Sequence, residues 1–107
     1  MLFEMRTYQV QPGKAPEFMK FYESEAIPII TKYLPLAGCW LAESGTLNSV
    51  VFLWRYEDYD DRVKRRAALN EDPAWAPIFP RILPYLVHQQ SVFLRDALSI
   101  PLPAGRD

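Results

Sequence analysis

The stretch SVVFLWRYEDYDD, residues 49–61, constrains this chain more than any other. Phe52, Trp54 and Tyr56 alternate with Val51, Leu53 and Arg55. Successive side chains of a β-strand point to opposite faces, so three large aromatics share one face and two aliphatic residues the other. A strand that is apolar on both faces needs two covers. The chain has 107 residues, half of them hydrophobic and 23% charged, which suits one globular domain built around one core. One cover therefore has to come from outside that core.

The remaining pattern supplies the rest of a domain. Residues 2–10 alternate as a half-buried strand, with Phe3, Met5 and Thr7 on one side and Glu4, Arg6, Tyr8 and Val10 on the other. QPGK at 11–14 breaks it. From Ala15 to Leu34 the apolar residues Phe18, Phe21, Tyr22, Ile29, Ile30, Tyr33 and Leu34 recur at helical spacing. Pro16 is tolerated near the start of this helix, whereas Pro28 should kink it, having no N–H to donate to Ser24. Residues 36–44 form a second strand, GTLN at 45–48 a turn, and 49–57 a third strand, making an antiparallel hairpin. A second helix covers Tyr59 to Leu69. Asp72 and Pro73 then fit the N-cap and first position of a further turn or two, and Pro77, Pro80 and Pro84 prevent a long helix. A last strand spans 85–95.

The order strand, helix, strand, strand, helix, strand predicts an α+β, ferredoxin-like βαββαβ fold: a four-stranded antiparallel sheet with both helices on one face. The domain is expected over residues 1–97, with 98–107 as a loosely ordered proline-rich tail. The helix-facing side is expected to take Phe3, Met5, Cys39, Leu41, Val51 and Leu53. The opposite side then carries Glu4, Arg6, Tyr8, Trp40, Phe52, Trp54 and Tyr56 with nothing in this chain to cover it. A patch of that size marks an interface or a ligand site, and a second copy, giving a homodimer, is the natural cover.

A net charge of −1 without a basic stripe recommends neither nucleic acid nor an acidic membrane surface as a partner. The run KRR at 64–66, offset by Asp60 and Asp61, reads as a solvated helix face. Cys39 is the single cysteine, so an internal disulfide is impossible and a reducing cytoplasm is expected. Glu4 and Arg6 interrupt the apolar residues at the start, so MLFEMRTYQV is expected to be structure rather than a targeting or membrane segment.

Motifs for phosphate cofactors, structural zinc or a nucleophile elbow are absent, and no cofactor or metal is expected. Glu4, Arg6 and Tyr8 form the most suggestive polar set, since alternation places them beside Trp40 and Trp54. A carboxylate, a fixed cation and a phenol next to two indoles can orient a small aromatic or carbonyl-bearing ligand. Equally, Glu4 and Arg6 can pair to neutralise charges buried by assembly. Ligand-pocket candidates are thus Glu4, Arg6, Tyr8, Trp40, Phe52, Trp54 and Tyr56. His88, the single histidine, and Tyr8 are candidates for proton transfer. A structural or surface role competes for His88, whose face on the last strand is left open. Cys39 is expected to be a buried, inert thiol, and Trp75 a packing residue.

EMRTYQVQPGK at 4–14, GCWLAESGTLNSVVFLWRYEDYDDR at 38–62 and DPAW at 72–75 together resemble the NIPSNAP family of the dimeric α+β barrel superfamily, in its short bacterial single-domain form. The resemblance implies two ferredoxin-like sheets packed face to face as a homodimer, with a pocket between each sheet and its helices or loops. It implies no defined reaction, although superfamily relatives include monooxygenases that use neither metal nor flavin. Two functions stay open: a small-molecule binding protein or monooxygenase-like enzyme, and a non-catalytic structural or interaction dimer.

Overall fold

A computed structural model describes residues 1–101. The strands are β1 (Leu2–Val10), β2 (Leu36–Leu41), β3 (Ser49–Tyr56) and β4 (Leu86–Arg95), in one sheet ordered β2-β3-β1-β4 with every neighbouring pair antiparallel. This is the ferredoxin-like arrangement. Of the tail expected at 98–107, residues 102–107 lie outside the described part.

The first helical layer is α1 (Ala15–Phe21), a π turn (Tyr22–Ala26) and α2 (Ile27–Ile30) in succession. Pro28 explains the π turn. Its ring would clash with the carbonyl four residues back, and widening the turn before it relieves that clash, with the Ile27 N–H donating to the Tyr22 carbonyl. The helix therefore continues past Pro28 and buries Phe18, Tyr22, Ala26 and Ile30.

The second layer is α3 (Tyr59–Glu71), a run of turns, α4 (Phe79–Ile82) and a 3₁₀ turn (Leu83–Tyr85). Asp58 caps α3, its Oδ1 accepting from the Asp61 N–H at 2.8 Å, while Asp61 reaches back to accept from the Glu57 N–H at 3.0 Å. Asp72 holds the turns that follow, accepting from the Ala74 N–H at 2.8 Å and the Tyr33 hydroxyl at 2.7 Å.

On β1 and β3 the faces of the sheet are the reverse of the expected ones, whereas on β2 Cys39 and Leu41 lie on the helix side and Trp40 on the open side, as expected. Phe52, Trp54 and Tyr56 are buried beneath the helices with Val50, Phe18 and Tyr22, and Glu4 is fully buried among them. Phe3, Met5, Val51 and Leu53 lie on the side without helices. Strand register adds Trp40, opposite Val51, and Val92 and Leu94, opposite Met5 and Phe3, to this open face. The physical reason is that the large aromatics fill the deep layer between sheet and helices, while Glu4 and Arg6 find charge partners there. Cys39 does point to the helix side, but β2 is an edge strand and the residue is exposed, not buried as expected. Partial burial and the nearby Glu23 carboxylate both raise its thiol pKa.

On the open face Trp40 lies across Gly38. A Cβ at Gly38 would collide with the indole ring, so this glycine is required for the close approach.

Candidate functional site

The helix-covered face contains a hollow of about 260 Å³ between the sheet and the second helical layer. Arg6, Tyr8 and Trp54 line it from β1 and β3, Tyr22 from the π turn, Arg66 and Leu69 from α3, and Trp75 from the turns after it. Each position follows from local sequence. Alternation along β1 sends Glu4, Arg6 and Tyr8 to one face, and register sets Arg6 opposite Phe52 and Glu4 opposite Trp54.

Beside the hollow, Glu4 gathers a charged cluster. Its carboxylate accepts from Arg6 Nη1 at 2.8 Å, from Arg62 Nε at 2.9 Å and Nη2 at 3.1 Å, and from Ser91 Oγ at 2.6 Å. Burial pushes the Glu4 carboxyl pKa up, but hydrogen bonds from Arg62, Ser91 and Arg6 more than reverse this and hold it at about 2. Arg6 also donates from Nε to the Tyr8 hydroxyl at 3.1 Å. Burial opposes the Arg6 charge, yet Tyr8 and Glu4 outweigh it and the guanidinium stays protonated.

Arg62 is fixed by more than its acid. Its guanidinium lies 5.0 Å from the Phe93 ring centroid and 5.9 Å from that of Tyr59, and these two rings meet edge to face. The arginine thereby braces Glu4, and Glu4 braces Arg6 at the wall of the hollow.

The predicted residues separate as follows. Arg6, Tyr8 and Trp54 line the hollow, and Glu4 stands directly behind Arg6. Phe52 is packed between Tyr8, Tyr22 and Trp54, with ring centroids 4.7–6.2 Å apart. Tyr56 is buried, its hydroxyl short of full hydrogen-bond geometry with any partner and facing the Arg66 guanidinium. Burial and the Glu4 charge raise its pKa. Trp40 is not part of this group, being exposed on the open face. His88 pairs with Gln9 in register, which puts it on the open side of edge strand β4, exposed and away from the hollow. Trp75, expected to be packing, is buried and also forms part of the wall.

Sequence reading missed Arg62 and Arg66. Of the KRR run, Lys64 pairs with Asp60 and Arg65 with Asp61, as a solvated face would, but Arg66 is half-buried against the hollow. The signal was available: Leu69 is the buried residue of α3, and stepping back three and seven positions along that stripe gives Arg66 and Arg62. A helix whose sheet-facing stripe carries arginines announces an anion beneath it, here Glu4.

Among the described residues no cluster of three or more His, Cys, Asp or Glu side chains is arranged to hold a metal ion. No helix there is long and apolar enough to cross a membrane.

The NIPSNAP family profile matches residues 3–99. The chain belongs to the NIPSNAP family. A NIPSNAP domain protein of Burkholderia xenovorans, described as uncharacterized, is 55% identical to it. Their structures superpose with a TM-score of 0.91 over 94% of this chain and 99% of that one. Human Protein NipSnap homolog 3A is 32% identical over 80 residues, 74% of this chain and 32% of that protein. This NIPSNAP chain thus spans about a third of the length of the curated relatives it matches. A putative antibiotic biosynthesis monooxygenase from Nitrosomonas europaea shares the fold at a TM-score of 0.67, covering 92% of this chain and all of that one at 11% identity. That likeness concerns fold alone.

Proposed function

We propose that this NIPSNAP chain binds a small aromatic or carbonyl-bearing molecule in the hollow between sheet and helices. The observation that carries this reading is the hollow itself, an unfilled space in a small core whose wall holds a braced guanidinium beside a phenol and an indole. Protein interiors are close-packed, and a hollow where apolar side chains meet convergent polar groups is a usual form of ligand site. Aromatic walls offer stacking, and Arg6 keeps N–H donors beyond those given to Glu4 and Tyr8.

The working unit we propose is a homodimer joined through the open sheet face, where Trp40 and Leu94 are exposed, Phe3, Met5, Val51 and Leu53 are half-buried, and residues 96–101 run alongside Phe3, Leu53 and Leu94. The exposed thiol of Cys39 fits a reducing compartment such as the cytoplasm. Oxygenation of an electron-rich aromatic substrate without metal or flavin is the reaction to assay, suggested by the shared monooxygenase fold. Fold does not assign chemistry, so binding is the conclusion and oxygenation the assay. The open apolar face also favours a second reading, a non-catalytic dimer whose assembly is its task.

Native mass spectrometry of the full chain, purified without added ligand, separates the two readings. A retained small molecule lost in Arg6→Met supports the binding reading. A dimer that carries no small molecule, and takes up none from a panel of aromatic acids, ketones and phenols, supports the structural one.

A further inference from the structure

The charges around the hollow do not balance, and their imbalance specifies a ligand. Glu4 is the buried acid of the cluster, and two guanidiniums, Arg6 and Arg62, converge on it. One positive charge is therefore in surplus. Arg62 spends both Nε and Nη2 on Glu4, whereas Arg6 commits one N–H to Glu4 and one to Tyr8. The donors left on Arg6 belong to the group that lines the hollow. Arg66 brings a second guanidinium to the same wall, and among the described residues no acid lies within 4 Å of it.

Arg6 shares its one acid with Arg62 and Arg66 has none, so the positive charge on this half-buried wall is only partly compensated. A bound anion completes the compensation. Guanidinium is planar, permanently charged and suited to bidentate recognition of carboxylates. The rest of the wall is largely apolar, with Trp54, Leu69 and Trp75 facing the same space. A volume of about 260 Å³ equals the liquid share of roughly nine water molecules, which is room for a small organic acid. We propose that the hollow takes a small aromatic or aliphatic carboxylate, its anionic head between Arg6 and Arg66 and its apolar body against the indoles. This inference rests on the binding reading above and narrows it to one charge class.

Benzoate, benzamide and benzamidine share a shape and are anionic, neutral and cationic at neutral pH, so they isolate the charge. Titration calorimetry of the full chain should find benzoate at least about tenfold tighter than benzamide, and no measurable binding of benzamidine. Arg66→Met should bring benzoate down to the level of benzamide with the melting temperature unchanged or raised, because Arg66 has no ion pair to lose. Arg6→Met should weaken benzoate as strongly but also lower the melting temperature. Equal binding of benzoate and benzamide would overturn the anion proposal and leave the binding reading standing. A benzoate preference that survives both substitutions would place the anion elsewhere and overturn it too. Failure of all three probes would also overturn it, and a molecule retained in native mass spectrometry would then decide whether the binding reading survives alone.

Discussion

The two faces of this sheet differ in kind: the covered one mixes large aromatics with a buried charge cluster, and the uncovered one is mainly aliphatic. The helix-covered face encloses Glu4, Arg6 and Arg62, while the face without helices is dominated by Phe3, Met5, Val51, Leu53, Val92 and Leu94. Burial is decided by whether partners exist. Glu4 is tolerated inside because four hydrogen bonds reach it. The aliphatic face is left open because both helical layers are committed to the aromatic side.

The largest contrast should come from the tryptophans. Trp54 is 3% exposed and Trp40 is 55% exposed. Replacing Trp54 by Ala should cost roughly 3–5 kcal/mol in chemical denaturation. Trp40→Ala should cost the folded chain under about 1 kcal/mol, while weakening self-association. Similar losses for both would break the distinction between the faces.

Glu4→Gln sharpens it from the polar side. Removing the charge leaves two guanidiniums facing an amide, and the loss should reach about 3–5 kcal/mol, as for other broken buried pairs. The same group sets a pH dependence. Its pKa is lowered from 4.5 in the unfolded chain to about 2 in the fold. The stabilisation is therefore present above pH 4.5 and lost as pH falls through that value towards 2, and by linkage it is worth about 3 kcal/mol. Urea melts between pH 6 and 2 should show this loss in the wild type. If the Glu4→Gln variant shows the same loss, another carboxylate is responsible.

The smallest effect concerns the open face. Gly38→Ala should displace the Trp40 indole, shifting its fluorescence at a stability cost of about 1 kcal/mol or less, since the ring is exposed and free to swing away. An unchanged emission spectrum would mean that the indole does not rest on Gly38 in solution.

Element order, strand pairing and the grouping of Glu4, Arg6 and Tyr8 with Phe52, Trp54 and Tyr56 were all legible, because period-two alternation is a local property of each strand. Which face receives the helices is not local. A face of Phe, Met, Val and Leu resembles a core, and one carrying Glu4 and Arg6 resembles a surface or interface, until Arg62, 58 residues along the chain from Glu4, is seen to close on it. Trp40 was misgrouped for a related reason. An irregularity in the β2–β3 register between Leu36 and Gly38 accompanies a pairing of Trp40 with Val51 rather than with Phe52. The hollow itself depends on how Trp75 and the turns around it pack, which the prolines at 73, 77, 80 and 84 allow but do not dictate.

The central claim is that one face of the sheet holds the site and the other docks a second copy. Light scattering with size-exclusion chromatography, on the wild type and on Leu53→Lys at micromolar concentration, tests it most directly. Leu53 lies on the open face, paired with Met5 and Gly38 and remote from the hollow. The wild type is expected at the mass of two chains and the variant at the mass of one, both with the same circular dichroism spectrum. A wild-type monomer, or a Leu53→Lys dimer, would contradict it.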